Sequence, residues 1–508
     1  MSGSFNNQSE SRTVRRFTSA VAILFSVLAM APNGRAQSAG AAGGAGGAGS
    51  AGAGAAGAAS GQGAAGSGGQ AGGAHGGGTG ANGAAGVANG TNGAQAYAAS
   101  ASPGIDPRKP PPAKPGSLTL QQVVDRARTA NPVLLAAEAN LRSVRAEEIQ
   151  AGVRTNPYLG VAGSDVTETA SAANPYNYSV QVSRLFERGN KRGYRLENAR
   201  ATTAQTSAQL QDTIRQTVLQ VKTAFTHMLF AKQALELSKA QLTDFRHEVE
   251  IAQDRYKAGD LGRLDFERLD LQLGSFESDA ANDEIALQQA SDQLQTFMGV
   301  PTPSQTFDIA GDIVPPAVAE TREQLIQQAV TARPDLAAAR SGVDAARSAY
   351  RLAIANGTAD PTLEAEYDRT PELGTANSNS AGFNVNIPLR IFDKNQGNKE
   401  VTRLAIDAAQ LTVTATRNQI ASDVDQAFVA YVQAKALSDR FGSHYLDESA
   451  DVLGIARFAF DHGGLALIDY LDSLRDARSS TSNALNAYQQ TWIAIHQLSA
   501  SSATELLP

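Results

Sequence analysis

The stretch "RYKAGDLGRLDFERLDL" (255–271) places two glycines, Gly259 and Gly262, after a run with neither glycine nor proline from Arg195 to Ala258. A counterpart, "FAFDHGGLALIDYLDSL" (458–474), follows further along the chain. In each, an aromatic residue stands three positions before a glycine and an aspartate six after it: Tyr256, Gly259 and Asp265, then Phe460, Gly463 and Asp469. A glycine pair lets two antiparallel helices reverse tightly. Each stretch reads as the tip of a helical hairpin.

Upstream of the first tip, Val221, Met228, Leu235, Leu242, Val249 and Tyr256 recur every seven residues. Ala224, Ala231, Ser238, Phe245 and Ala252 follow the first five at three positions. Sustained heptads mean helices packed side by side as antiparallel coiled coils. Sixty-odd residues give a helix roughly 100 Å long, which few globular domains can bury. In the second half Val432, Leu446, Leu453 and Phe460 echo the seven-residue spacing, with Asp439 breaking it.

Working outward from the tips, the chain repeats once. "LQQVVDRARTANPVLLAAEANLRS" (120–143) parallels "REQLIQQAVTARPDLAAARSGVDA" (322–345), with Pro132 on Pro334. Pro157 falls on Pro361, Phe186 on Phe392 and Gly259 on Gly463, at separations of 202 to 206 throughout. Two tandem structural repeats, 117–310 and 311–508, are expected. Each reads as short helix, helix, strand, strand, very long helix, glycine turn, helix.

The strands alternate cleanly. Leu363, Ala365 and Tyr367 oppose Thr362, Glu364, Glu366 and Asp368; Phe383, Val385, Ile387, Leu389 and Ile391 oppose Asn384, Asn386, Pro388 and Arg390. Tyr178, Val180 and Val182 oppose Ser179, Gln181 and Ser183. One apolar and one polar face is the pattern of a membrane β-barrel strand, and a half-buried soluble sheet has the same period. Four strands cannot close a barrel, and open edges are not tolerated in lipid. If these strands are in a membrane, copies of the chain share the barrel; three copies give twelve strands. Tyr158, Tyr176 and Tyr178 near strand ends suit either an aromatic girdle at a membrane interface or ordinary strand packing.

The amino-terminal part is of another kind. "RTVRRFTSAVAILFSVLAMAPNGRAQ" has a basic start, an apolar run from Val21 to Ala31, and small residues at Gly34 and Ala36. That is the pattern of a signal peptide over 1–36, with an uncleaved anchor as the alternative. Residues 37–116 comprise a Gly/Ala/Ser-rich tract, too poor in large apolar side chains to fold, and a Pro-rich spacer, "DPRKPPPAKPG". Without the first 36 residues, 39 basic and 49 acidic side chains remain, a net charge of −10. This gives no support for nucleic-acid binding. The absence of cysteine excludes disulfides, thiolate chemistry and a lipidated cysteine.

With an export signal, duplicated halves, and "YKAGDLGRLDF" and "FDHGGLALIDY" at the turns, the chain resembles the TolC family of outer-membrane efflux channels from about residue 117 to its end. "RLFERGNKRGYRLENA" is most similar to the branch serving heavy-metal exporters of the resistance–nodulation–division type. The resemblance implies a membrane α/β barrel: a homotrimer whose twelve-stranded β-barrel spans outer-membrane lipid and whose long helices form a periplasmic α-barrel. It also implies docking of a periplasmic adaptor (membrane-fusion) protein, linked to an inner-membrane efflux pump, at the tips around Tyr256, Gly259, Leu261, Asp265, Phe460, Gly463 and Leu465. Acidic residues beyond the second tip narrow the pore in that family, which carries over to Asp469 and Asp472. As rings of three they would favour cations, while a solvated helix face or ordinary ion pairs are the plainer account. For Asp265 a hairpin-locking role competes with one in the pore.

No chemistry of the chain's own is expected. The six histidines form no close pair, so no metal site is read, and no cofactor. No phosphate loop, nucleophile elbow or His-x-Glu motif suggests an enzyme. The expected function is a passive outer-membrane exit duct of a tripartite efflux system, for metal cations. The alternatives are the same duct for drugs or secreted polypeptide, and a periplasmic coiled-coil scaffold without a channel.

Overall fold

The structure is a computed structural model and describes residues 106–165, 176–370 and 378–506. The expected signal peptide and Gly/Ala/Ser-rich tract lie outside the described residues. The spacer from Asp106 onward is described, and leads into α1 (Leu120–Ala130) and α2 (Pro132–Gly152). Then come β1 (Tyr158–Asp165), β2 (Tyr176–Leu185), α3 (Lys191–Ala258) and α4 (Arg263–Phe297). The same order follows as α5 (Arg322–Ala332), α6 (Pro334–Asn356), β3 (Thr362–Thr370), β4 (Ser378–Asn386) and α7 (Gln396–Arg440). A π-helical turn, Phe441–Tyr445, joins α7 to α8 (Leu446–Asp461), and α9 (Leu467–Ser502) closes the chain.

Local chemistry explains the matching starts. Thr119 and Thr321 each form a capping box, with Gln122 and Gln324 three residues on. Pro132 and Pro334 open α2 and α6 at the first turn, where a missing N–H costs nothing. The long α3 runs 68 residues without a break, about 100 Å at 1.5 Å per residue. Its heptad positions Val221, Met228, Leu235 and Leu242 are buried, as are Ala224, Ser238, Phe245 and Ala252. They pack against α1, α4 and α9 in two clusters, one around Phe225, Leu294 and Ile309 and one toward the tips around Phe245 and Phe276. A third cluster joins α5, α6, α7 and α9 through Leu325, Leu336, Ile420, Val424 and Ile495.

The second long helix departs from the expected phase. Tyr431 is buried and Val432 is 42% exposed, so the seam passes through Tyr431 and Ser438 before resuming at Leu446. Asp439 stays outside, paired with Lys435. The π-turn takes up the odd residue between the two phases.

The four strands form one antiparallel sheet in the order β1-β2-β3-β4, so both β1 and β4 are edges of this chain's sheet. Register sets Leu159, Val182, Ala365 and Phe383 in one row across the sheet, and Val161, Val180, Tyr367 and Ala381 in the next. Leu159, Val161 and Phe383 are 63–72% exposed. The opposite face carries Gln181, Glu366 and Gly382 in one row and Ser179, Asp368 and Ser380 in another. β4 stops at Asn386. Ile387, Leu389 and Ile391, expected in that strand, lie beyond it, because Pro388 offers no N–H to continue the ladder. Among the described residues no helix is long and apolar enough to cross a membrane, which does not bear on a β-barrel.

Candidate functional site

The two tips are built alike. α3 ends where Gly259 takes φ 88°, with its N–H donating to the Tyr256 carbonyl (3.1 Å) and the Asp260 N–H donating to Arg255 (2.8 Å). At the second tip Gly463 takes φ 74°; its N–H donates to Phe460 (3.0 Å) and the Gly464 N–H to Ala459 (2.7 Å). This is the left-handed cap that closes a helix on its last free carbonyls. Only one glycine of each tip needs positive φ: Gly262 sits at φ −69°, and its counterpart in the second copy is an alanine, Ala466 at φ −71°. From these residues the chain turns straight into α4 and α9, with the Asp265 and Asp469 N–H groups donating to the Gly262 and Ala466 carbonyls at 3.2 and 3.1 Å.

Each tip is locked by a ring stack that the motif reading overlooked. Tyr256 lies on Phe266 at 5.3 Å, and Phe460 on Tyr470 at 5.0 Å, both nearly parallel. Leu261 and Leu465 are half-buried and pack against the same tip-side cluster. Phe266 and Tyr470 stand seven positions after Gly259 and Gly463, an offset shared by both copies and so legible in the sequence.

The acidic residues differ in their surroundings. Asp265 lies in the first turn of α4, where the helix dipole favours it, with Arg268 at 3.6 Å. Asp469 occupies the same place in α9 and is exposed; its carboxylate has no ion-pair or hydrogen-bond partner among the described residues. Asp472, also exposed, pairs with Arg475 at 2.6 Å within its own helix. The two carboxylates stand three residues apart on one helix, and the chain itself partly neutralises the second.

A part-buried polar tie joins the two hairpins. Glu248 of α3 accepts the Tyr470 hydroxyl at 2.7 Å and meets Arg457 of α8 at 2.9 Å. Burial pushes the Glu248 carboxyl above the usual carboxylate range, against the opposing pull of Tyr470 and Arg457. Arg478 of α9 pairs with Asp279 of α4 and lies over the Phe276 ring, 4.1 Å from its centre. These residues come from positions more than 190 apart, and no local motif announces them. Among the described residues no three His, Cys, Asp or Glu side chains are grouped to hold a metal ion.

Long helices paired in antiparallel hairpins, glycine tips and a four-stranded sheet with one exposed apolar face are the architecture of an outer-membrane channel. The chain matches the outer membrane efflux protein family twice, over residues 123–300 and 325–501, and belongs to it. It is a TolC-type protein of the outer membrane that extends into the periplasm. It is 26% identical over 381 residues to the cobalt-zinc-cadmium resistance protein CzcC of Cupriavidus metallidurans, covering 75% of this chain and 88% of that one. Its fold is similar to the outer membrane protein VceC of Vibrio cholerae (TM-score 0.61, 17% identity, 76% of this chain and 97% of that one). It is likewise similar to the open state of the MtrE outer membrane channel of Neisseria gonorrhoeae (TM-score 0.62, 18% identity, 76% and 89%).

Proposed function

We propose that three copies of this chain form a passive exit duct, with no reaction of its own, in a tripartite efflux system. The observation that carries this reading is the sheet: an exposed apolar face, a polar opposite face and two open edges. Such a sheet is stable in lipid only if its edges are paired by further strands. Three four-stranded sheets closing into a twelve-stranded barrel satisfy that demand, with Gln181, Glu366 and Asp368 toward the lumen. The helices continue the duct through the periplasm.

The matched tips, with Tyr256, Gly259, Leu261, Phe460, Gly463 and Leu465, are the docking points for a periplasmic adaptor that connects to an inner-membrane pump; Asp265 serves to lock the first hairpin. Asp469 and Asp472 are the pore constriction, where threefold symmetry would make each a ring of carboxylates that draws in cations and resists closure. Similarity to a cobalt-zinc-cadmium resistance protein favours metal cations as cargo over drugs or polypeptide.

Planar-bilayer recordings test this reading. Asp469→Ala with Asp472→Ala is expected to lower cation selectivity. Asp469→Ala alone should account for most of the change, because Arg475 already neutralises Asp472. Unchanged selectivity in the double variant removes both residues from the constriction. A soluble periplasmic monomer, in place of a heat-modifiable trimer in the outer membrane, would favour the scaffold reading instead.

A further inference from the structure

Between Ser438 and Leu446 the second long helix carries one residue more than the first does between Leu235 and Leu242, at the point where the amino-terminal spacer is fastened. Above that point, buried positions match at a separation of 203: Val221 with Val424, Met228 with Tyr431, Leu235 with Ser438. Below it the separation is 204: Leu242 with Leu446, Ala252 with Ala456, Gly259 with Gly463. The π-turn Phe441–Tyr445 absorbs the extra residue, and its closing bond runs from the Leu446 N–H to the Phe441 carbonyl. A π-turn of this kind interrupts the regular ladder and gives a helix a local point of flexure.

Arg108 holds that turn. Its Nη1 donates to the Gly442 carbonyl at 3.2 Å, and its Nη2 reaches Asp447 at 3.0 Å in the first turn of α8. Asp106 orients the guanidinium through Nε at 2.9 Å and accepts the Arg108 backbone N–H at 3.0 Å. The spacer between is stiff, with prolines at 107, 110, 111, 112 and 115, and Pro111 is buried. Its far end is anchored elsewhere: the Lys114 N–H donates to Asp308 at 3.0 Å, and Leu118 bridges to Ile309. Asp308 in turn pairs with Lys232 of α3. The spacer thus straps the first half to the flexure point of the second.

The strap's seat is incomplete. Gln233, fully buried under it, donates a long bond of 3.5 Å to the Pro107 carbonyl. The Gln233 side-chain oxygen has no partner among the described residues. Arg108 and Asp447 are 36% and 59% exposed, so salt screens their bond. Beneath the strap a cleft of about 440 Å³ separates α3 from α8 and α9.

We propose that the strap is a releasable brace. With Arg108 engaged, the α8–α9 hairpin is held beside α3; with Arg108 released, the hairpin pivots at the π-turn while the first hairpin stays. This rests on the duct reading, since the hairpin that moves carries Asp469 and Asp472.

The full-length trimer in planar bilayers tests it. Arg108→Gln is expected to raise mean conductance several-fold at low salt, with the difference from wild type shrinking at about 1 M salt. The chain has no cysteine, so Arg108→Cys with Asp447→Cys can be joined by a short bis-maleimide, which should hold the channel at low conductance. Deleting Ser443 restores one heptad phase throughout, removes the pivot and should do the same. If wild type conducts and both Arg108→Gln and the cross-link leave conductance unaltered, the brace is overturned and the duct stands. If neither wild type nor Arg108→Gln passes current, the duct itself is overturned.

Discussion

The two hairpins share their tips and differ in their bodies. In the first, Phe245 and Phe276 stack at 4.5 Å, both 2% exposed, and fuse α3 to α4. The matching positions in the second are Ser449 and Ser480, whose hydroxyls turn back to the Leu446 and Tyr445 carbonyls. α3 reaches its tip without interruption, while its counterpart is broken by the π-turn. One hairpin is stiff and self-packed. The other depends on neighbours: Glu248 and Phe276 from the first hairpin, and Arg108 from the strap. The first half packs on itself, and the second, which carries the candidate gate, packs on the first.

The largest effect expected from breaking this difference is at Phe276. Phe276→Ala removes a buried ring from between α3, α4 and Arg478, at a cost of about 3–5 kcal/mol, whereas Ser480→Ala should stay within about 1 kcal/mol. Thermal unfolding of the detergent-solubilised protein, followed by circular dichroism, measures both. Equal losses would mean that the serine hairpin is as tightly packed as the aromatic one.

Next in size is a pH effect at His496, in the second half. His496 of α9 is 3% exposed and bonded to Thr226 of α3, whereas its counterpart in α4, Asp292, is half-exposed and, among the described residues, bonded only to groups of its own helix. Burial, helped by the charge of Lys222, pushes His496 down to about 3. An unfolded chain takes up that proton near 6.5, the ordinary value, while the folded chain stays neutral. This contribution is therefore complete above pH 6.5 and is lost as pH falls toward 3, at up to about 1.4 kcal/mol per pH unit. His496→Gln should shrink the drop in melting temperature between about pH 7 and pH 4.5.

How much of this was readable beforehand depends on the range over which each feature is written. The heptads of α3, the strand alternation and the tip motifs lie within a few residues of one another, so their period shows directly. The end of β4 at Asn386 was misplaced because the alternation of Ile387, Leu389 and Ile391 continues past Pro388 although the ladder cannot. The π-turn leaves almost no local trace; only Asp439 out of phase marked it, and burial was needed to see the seam move to Tyr431 and Ser438. The Glu248–Tyr470–Arg457 tie is a tertiary arrangement that no spacing rule contains.

That tie gives the third prediction. Tyr470→Phe makes the second tip's ring like Phe266 of the first and deprives a largely buried carboxylate of one of its two donors among the described residues. The loss should be about 1–3 kcal/mol, because the acceptor is charged and is left poorly solvated. Adding Glu248→Gln should recover part of it, since the amide carries no charge to be stranded. A double variant no more stable than Tyr470→Phe alone would show that Glu248 is solvated rather than clasped.

The smallest effect tests the similarity instead of the difference. Gly259 and Gly463 are both left-handed with open space around them, so alanine would meet no atom at either and only backbone strain is at stake. That strain is about 1–2 kcal/mol, reduced in part by the lower entropy of the unfolded alanine chain. Gly259→Ala and Gly463→Ala should therefore lower stability by nearly the same amount. Gly262→Ala, at an ordinary φ and already an alanine in the second copy, should be neutral. If Gly463→Ala instead costs much less than Gly259→Ala, the second tip can relax where the first cannot, and the looseness of that hairpin reaches all the way to its turn.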